Sequence, residues 1–204
     1  MKFYTISGLG ADQRIFKYLN LPYDTIALDW ILPFKKETLK EYALRLSKEI
    51  DTSVPFGIIG VSFGGMLAIE ISNVLKPEKT ILISSAQTKH QLPTLYKLIG
   101  KLKIIPFLPY FCFNLPPFLA SKLLRAQNKK LLRDILQDTD LKFVKWAIQA
   151  ICKWENETIP KNVLHIHGSN DLVIPIPKDS TIKVVKGGGH FMVVDKAEDV
   201  NSYL

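Results

Sequence analysis

One serine stands in a sequence context that is typical of an enzymatic nucleophile. Ser62 lies in the run GVSFGG at residues 60–65, directly after the apolar residues 56–59. Glycines two positions before and after a serine suit a sharp strand-to-helix turn, because they remove side chains that would collide there. The motif predicts a nucleophilic hydroxyl at Ser62, although a small residue at a tight turn would give the same pattern.

Two further groups complete a possible catalytic set. Asp171 follows the apolar stretch 163–166, and His190 follows three glycines that come after the stretch 182–185. Each therefore falls just past the carboxyl end of a predicted strand, where an open parallel sheet forms its ligand crevice. The order Ser62, Asp171, His190 predicts a catalytic triad, with Asp195 as the rival acid.

These motifs, with the run ISGLG at residues 6–10, resemble the α/β-hydrolase superfamily over the whole chain. Ser7 stands where that family commonly has histidine, and two strands that usually precede the first central strand are absent. The resemblance implies that His190 activates Ser62 and that Asp171 orients the imidazole. It also implies an oxyanion hole formed by the backbone N–H groups of Leu9 and Phe63, and a helical cap after the fourth parallel strand.

The elements that must position these groups alternate between short β-branched runs and helical patterns. This alternation predicts an α/β fold, with a mostly parallel open sheet of about six strands and helices on both faces. Helices are expected over 38–50, from Gly64 to Leu75 and over 195–204. The strands are expected over 2–7, 25–28, 56–61, 79–84, 162–167 and 181–185.

Residues 87–159 interrupt the alternation and are predicted to form an inserted cap, leaving 1–86 and 160–204 as the hydrolase core. Two helices are expected in it, over 121–137 and 141–154. Between 104 and 120 the chain has no charged residue and four prolines. Such a run could indicate a membrane span, but prolines interrupt the hydrogen-bond ladder of a spanning helix, so a packed lid segment is predicted.

The cap is also the basic part of the chain. Between Lys89 and Lys161 there are 13 Lys or Arg residues against 5 Asp or Glu, whereas the rest of the chain has 14 of each sign. A solvated cationic surface would explain this charge, and so would attraction of an anionic substrate or lipid surface. Five cap residues are predicted to receive the apolar part of a substrate: Phe107, Tyr110, Phe111, Phe113 and Phe118.

The expected activity is hydrolysis of a carboxylic ester or thioester, with a small-molecule substrate that is possibly anionic. A lyase or C–C hydrolase using the same triad, and a non-catalytic protein that binds an acidic partner, are the alternatives. No metal, cofactor or nucleic-acid partner is expected, and contact with a membrane surface is left open. The two cysteines form no CxxC pair, which favours a reducing, cytoplasmic location.

Overall fold

A single six-stranded parallel sheet organises the chain, which is described by a computed structural model for residues 1–179 and 181–204. The strand order is β2-β1-β3-β4-β5-β6, and every pair is parallel. The predicted fold class is confirmed, and the strand bounds differ from the prediction by at most two residues. The strands are β1 Lys2–Ile6, β2 Asp24–Ala27, β3 Phe56–Val61, β4 Lys79–Ile83, β5 Val163–Gly168 and β6 Lys183–Val185.

The central strands bury side chains on both of their faces. Successive side chains of a strand point to opposite sides of the sheet, so each strand contributes to two cores. In β3, Ile58 belongs to one apolar cluster, whereas Ile59 and Val61 belong to the other. The sheet is therefore enclosed between two apolar layers, and the loops after its strands carry the candidate site residues.

The helices of the core lie where they were predicted, but their first or last residues differ from the prediction. Helix α1 spans Leu39–Leu46 behind a capping box of Thr38 and Glu41, and continues as a 3₁₀ turn to Glu49. Helix α2 spans Phe63–Leu75. The closing helix expected over 195–204 is present but shorter, as α8, Ala197–Asn201, because the backbone of Lys196 leaves the helical region and separates it from α7, Met192–Asp195.

Between β4 and β5 the chain forms four helices. They are α3 Thr94–Leu102, α4 Pro117–Leu124, α5 Lys129–Gln137 and α6 Leu141–Cys152. The one helix expected over 121–137 is wrong, because Arg125 takes a left-handed conformation (φ 52°) that ends α4. The Asn128 side chain then accepts a hydrogen bond from the N–H of Leu131 and starts α5.

The uncharged segment 104–120 is mostly irregular. It contains two short 3₁₀ helices, Ile105–Phe107 and Tyr110–Phe113, and then the first turn of α4. Prolines supply no N–H and fix the backbone angle φ, so a continuous helix does not form here. Across the described residues, no helix is both long and apolar enough to cross a membrane.

Candidate active site

Ser62 occupies a strained turn between β3 and α2. Its backbone has φ 52° and ψ −117°, an unusual combination for a residue with a side chain. A Cβ atom at Gly64 would collide with the backbone of Ile6 and Ser7, and one at Gly60 would collide with Gly64 and Gly65. The glycines therefore allow β3, α2 and the loop after β1 to meet closely, and Ser62 is held at that meeting point.

The structure brings the three predicted residues together in one hydrogen-bonded series. The Nε2 atom of His190 lies 2.8 Å from the Ser62 hydroxyl, and its Nδ1 atom lies 2.7 Å from Asp171 Oδ2. A carboxylate only accepts hydrogen bonds, so Nδ1 carries the proton and Nε2 is free to accept one from the serine. The order Ser62–His190–Asp171 is the arrangement that activates a serine hydroxyl.

Asp171 is almost completely buried, yet its charge is well supported. Oδ1 accepts hydrogen bonds from the N–H groups of Val173 and Ile174, at 2.9 and 3.0 Å. Burial on its own would raise the pKa of this carboxyl, but hydrogen bonds from His167 and His190 outweigh it and hold the pKa well below its usual range. The carboxylate is therefore an anion that stabilises a proton on His190.

A second imidazole contacts the same carboxylate, which sequence reasoning did not assign to the site. His167 Nε2 lies 2.8 Å from the Ile174 carbonyl and 3.5 Å from Asp171 Oδ2. Since the carbonyl only accepts, Nε2 of His167 is the donor. His167 thus fixes the turn that carries Asp171. The sequence signal for this contact was the spacing of four residues between His167 and Asp171. That spacing brings side chains together in a helix, but His167 lies in a strand, so the contact could not be inferred from it.

His165 extends this buried series away from the site. Its Nε2 lies 3.1 Å from Nδ1 of His167, while its own Nδ1 is buried with no hydrogen-bond partner among the described residues. Burial lowers the pKa of His165 to about 3, and the neighbouring His167 adds to the effect. The contacts of His165 indicate a structural role.

The predicted oxyanion donors lie on either side of Ser62. Phe63 follows the serine at the start of α2, and Leu9 follows Gly8, at which a Cβ atom would lie 3.5 Å from the Cβ of Ser62. Among the described residues, no acceptor takes the N–H of Leu9 or Phe63. The loop is braced from the cap by Thr139, whose hydroxyl donates to the Gly10 carbonyl at 2.9 Å.

The cap also contacts the loop that carries His190. The N–H of Phe191 donates to the Leu124 carbonyl at 3.2 Å. Asp195, the rival acid, accepts from the N–H groups of Gln127 and Asn128, at 2.7 and 3.0 Å. The Asp195 carboxylate therefore binds the α4–α5 turn, whereas the Asp171 carboxylate accepts a hydrogen bond from His190.

The five aromatic residues predicted to bind substrate are not gathered into an enclosed pocket. Phe107 is 87% exposed and Phe111 73% exposed, and only Phe113 is partly buried. Another aromatic group lies next to the nucleophile instead: Phe63 packs near Trp30, Phe143 and Trp146. Trp30 and Phe143 also line a cleft of about 250 Å³ that reaches Gly10 and Thr139.

No group of three or more His, Cys, Asp or Glu side chains with the arrangement of a metal site is present in residues 1–179 and 181–204. The chemistry that the site can perform with its own residues is proton transfer to and from Ser62.

Comparison of the sequence with protein-family models and with curated proteins gives no match. Solved structures are similar over nearly the whole chain. A lipase-esterase related protein from Clostridium acetobutylicum has a TM-score of 0.71 at 16% identity, covering 100% of this chain and 94% of that one. An enol-lactonase from Burkholderia xenovorans has a TM-score of 0.66 at 13% identity, covering 98% and 88%. A meta-cleavage product hydrolase from Pseudomonas fluorescens has a TM-score of 0.68 at 16% identity, covering 99% and 88%. With its parallel sheet and its turn at Ser62, the chain therefore has the α/β-hydrolase fold.

Proposed function

We propose that the protein is a serine hydrolase that cleaves a carboxylic ester or thioester through an acyl-enzyme on Ser62. The observation that carries this proposal is the unbroken series of hydrogen bonds from the Ser62 hydroxyl through His190 to Asp171. A serine hydroxyl is a weak nucleophile at its free pKa and needs an adjacent base of this kind.

In the first half of the reaction, Ser62 Oγ attacks the acyl carbon while its proton moves to Nε2 of His190. Asp171 stabilises the imidazolium that forms. Negative charge develops on the carbonyl oxygen, where the N–H groups of Leu9 and Phe63 are available as donors. The bond to the leaving group then breaks, and His190 gives its proton to the departing alcohol or thiol.

In the second half, water takes the place of the leaving group. His190 removes a proton from the water as its oxygen attacks the acyl carbon on Ser62. The intermediate collapses, a carboxylic acid leaves, and the proton on His190 returns to Ser62 Oγ. In each half His190 takes up one proton and gives one up: the proton of Ser62 leaves with the alcohol or thiol, and a proton from water restores the Ser62 hydroxyl, so water is the one further reactant.

The ester or thioester is favoured because the hydrolytic chemistry uses only groups that this site contains. The names of the similar structures include an esterase-related protein, an enol-lactonase and a meta-cleavage product hydrolase. A C–C hydrolase would use the same triad, so it is the alternative that substrate tests must separate. The aromatic group around Phe63, Trp30 and Phe143 favours an acyl part that is moderately apolar.

The test is covalent labelling by a fluorophosphonate, which reacts with an activated serine. Intact-mass measurement should show one adduct, and peptide mapping should place it on Ser62. The variant Ser62→Ala should take no label, whereas Ser53→Ala, which removes an exposed serine, should be labelled like the wild type. Hydrolysis of aryl esters and aryl thioesters is then measured on the same three proteins.

Three outcomes contradict the proposal. An adduct on another residue would mean that Ser62 is not the nucleophile. Absence of any adduct from a folded protein would favour the alternative of a binding protein. Labelling of Ser62 without turnover of either ester class would instead favour C–C cleavage or elimination by the same triad.

A further inference from the structure

The outer surface of the cap exposes an unusual number of large apolar side chains. Eleven of the 22 large hydrophobic residues exposed in the described chain lie within residues 95–123. We name this surface the apolar cap face. Its members are Leu95, Leu98, Leu102, Ile104, Phe107, Tyr110, Phe111, Leu115, Phe118, Leu119 and Leu123. Scattered apolar residues are normal at a protein surface, but a set concentrated in one segment marks an interaction site.

Helix α3 is held so that its apolar stripe faces outward. Leu95, Leu98 and Leu102 recur at helical spacing and are all more than half exposed. Gly100 packs against the backbone of Cys152, where a Cβ atom would lie 2.5 Å from the carbonyl oxygen. Since this contact fixes the inner side of α3, the leucine stripe is left on the outside.

The aromatic loop that follows α3 is also tied down. Lys145 on α6 donates to the carbonyls of Pro106 and Leu108, at 2.9 and 2.6 Å. Its ammonium lies 5.1 Å from the ring centre of Tyr110. The loop is therefore anchored by its backbone, while the rings of Phe107 and Phe111 project into solvent.

The chain segment that carries this face has charge of one sign, and Glu155 on the following segment lines the same groove as Lys97 and Lys101. Residues 79–133 contain ten Lys or Arg residues and no Asp or Glu. Lys97, Lys101, Lys103 and Lys122 are exposed and form no ion pair with any described residue. The ammonium of Lys122 lies 4.3 Å from the ring centre of Phe118, so cation and aromatic side chain share one patch.

We propose that the apolar cap face docks the protein reversibly on an anionic lipid bilayer. Exposed aromatic and leucine side chains enter the interfacial region, and lysines beside them meet the lipid phosphates. A second copy of this chain fits less well, because a two-fold contact would set these unpaired lysines against each other.

The test is flotation of the purified full chain with vesicles. The protein should float with vesicles of phosphatidylcholine and phosphatidylglycerol, and should float far less with phosphatidylcholine alone. Raised salt should release it, because the Debye length falls to about 3 Å at 1 M. The variant Ser62→Ala should float like the wild type, which separates docking from the proposed catalysis.

Two sets of variants test the two components of the surface. Replacing Lys97, Lys101 and Lys103 by Gln should weaken partitioning about 100-fold, since each lysine near an anionic surface contributes about 1 kcal/mol. Replacing Phe107 and Phe111 by Ser should weaken it about tenfold or more. Matched controls are Lys2, Lys48 and Lys183 to Gln, and Val54 and Val74 to Ser, all exposed and outside the cap.

The proposal is overturned if wild-type protein does not float with anionic vesicles at low salt. It is equally overturned if the lysine control weakens flotation as much as the cap variant, because the attraction would then come from net charge. Loss of a dimer on size-exclusion chromatography with Phe107→Ser and Phe111→Ser, without any change in flotation, would assign the face to a second copy. Circular dichroism establishes that each variant is folded.

Discussion

The turn at Ser62 and the loops that carry Asp171 and His190, here called the triad loops, differ from the apolar cap face in burial and in hydrogen bonding. Asp171 and His190 are buried, and each hydrogen-bonding atom that they use has a partner among neighbouring residues. On the apolar cap face, Phe107 and Phe111 are exposed, and so is Lys97 beside them. Chemistry at Ser62 needs atoms held within tenths of an ångström, whereas contact with a bilayer needs only area and charge.

The two regions meet at the turn between α4 and α5. Leu124 accepts the N–H of Phe191, and a side chain at Gly189 would collide with Arg125. Asp195 holds the other end of the turn through Gln127 and Asn128. Helix α4 carries Phe118 and Leu123 of the apolar cap face into this turn, so a docked protein would hold the catalytic loop close to the lipid surface.

The largest expected effect tests whether chemistry resides wholly in the triad loops. Ser62→Ala and His190→Ala should each lower kcat for an aryl ester by about 10⁴-fold or more, and the double variant should be hardly worse than either. The residues act as one proton-transfer unit, so their losses do not add. Steady-state kinetics on purified variants measure this.

The matching control on the cap is Phe107→Ser, which should keep kcat for a soluble ester. Retention of more than about a tenth of wild-type kcat by Ser62→Ala would refute the triad assignment, since losses at such residues are normally far larger.

A second prediction separates the carboxylates of the two regions. Asp171→Asn should lower kcat by about 10³ to 10⁴-fold, because an amide can donate to His190 and select the wrong tautomer. Asp195→Asn should affect kcat far less, since Asp195 binds the cap turn and does not touch His190. Kinetics at saturating ester compare the two variants, and the reverse order of effects would assign the acid to Asp195.

The sequence predicts the triad loops better than it predicts the helices between β4 and β5. Ser62, Asp171 and His190 were found because each follows a strand within a local motif, and parallel strands bring their carboxyl ends together. The break at Arg125 was missed because residues 125–128 contain no glycine or proline; Asn128, a favoured N-cap residue, was the available signal, and contacts with the His190 loop hold the turn. Helix α3 was not predicted, although Leu95, Leu98 and Leu102 recur at helical spacing and were the available signal.

A third prediction probes the buried series behind Asp171. The pKa of His165 is near 3 in the folded protein and about 6.5 when unfolded. Between these two pKa values the unfolded chain binds a proton that the native chain does not. The contribution of His165 to the free energy of unfolding is therefore fully present above pH 6.5 and is lost as the pH falls. Each pH unit costs about 1.4 kcal/mol from this group.

Replacing His165 by Gln removes that titration. The decrease in unfolding free energy from pH 7 to pH 5 should therefore be about 2 kcal/mol smaller in His165→Gln than in the wild type. Urea denaturation at both values measures it, with His90→Gln, at an exposed histidine, as the matched control. An unchanged pH dependence would show that His165 takes up its proton in the folded protein as readily as in the unfolded one.

The smallest expected effect concerns long-range attraction from the cap to a soluble substrate. Arg125 lies against Gly189, one residue from His190, and Lys129 is exposed at the start of α5. Such charges act over about 10 Å at 0.1 M salt and over about 3 Å at 1 M. We expect kcat/KM for an anionic acyl ester to exceed that for its neutral analogue several-fold at low salt, through faster encounter with the site.

That advantage should shrink as salt rises, and in the variant with Arg125 and Lys129 replaced by Gln. The matched control on the same helix replaces Lys130 by Gln together with Asp134 by Asn, which removes an ion pair of 2.8 Å and leaves the net charge unchanged. Both esters must be soluble and free of lipid, so that docking of the apolar cap face does not contribute. If the ratio of kcat/KM for the anionic ester to that for the neutral ester stays constant across the salt range, these cations do not attract small substrates. They would then be a solvated surface that acts only in contact with a bilayer.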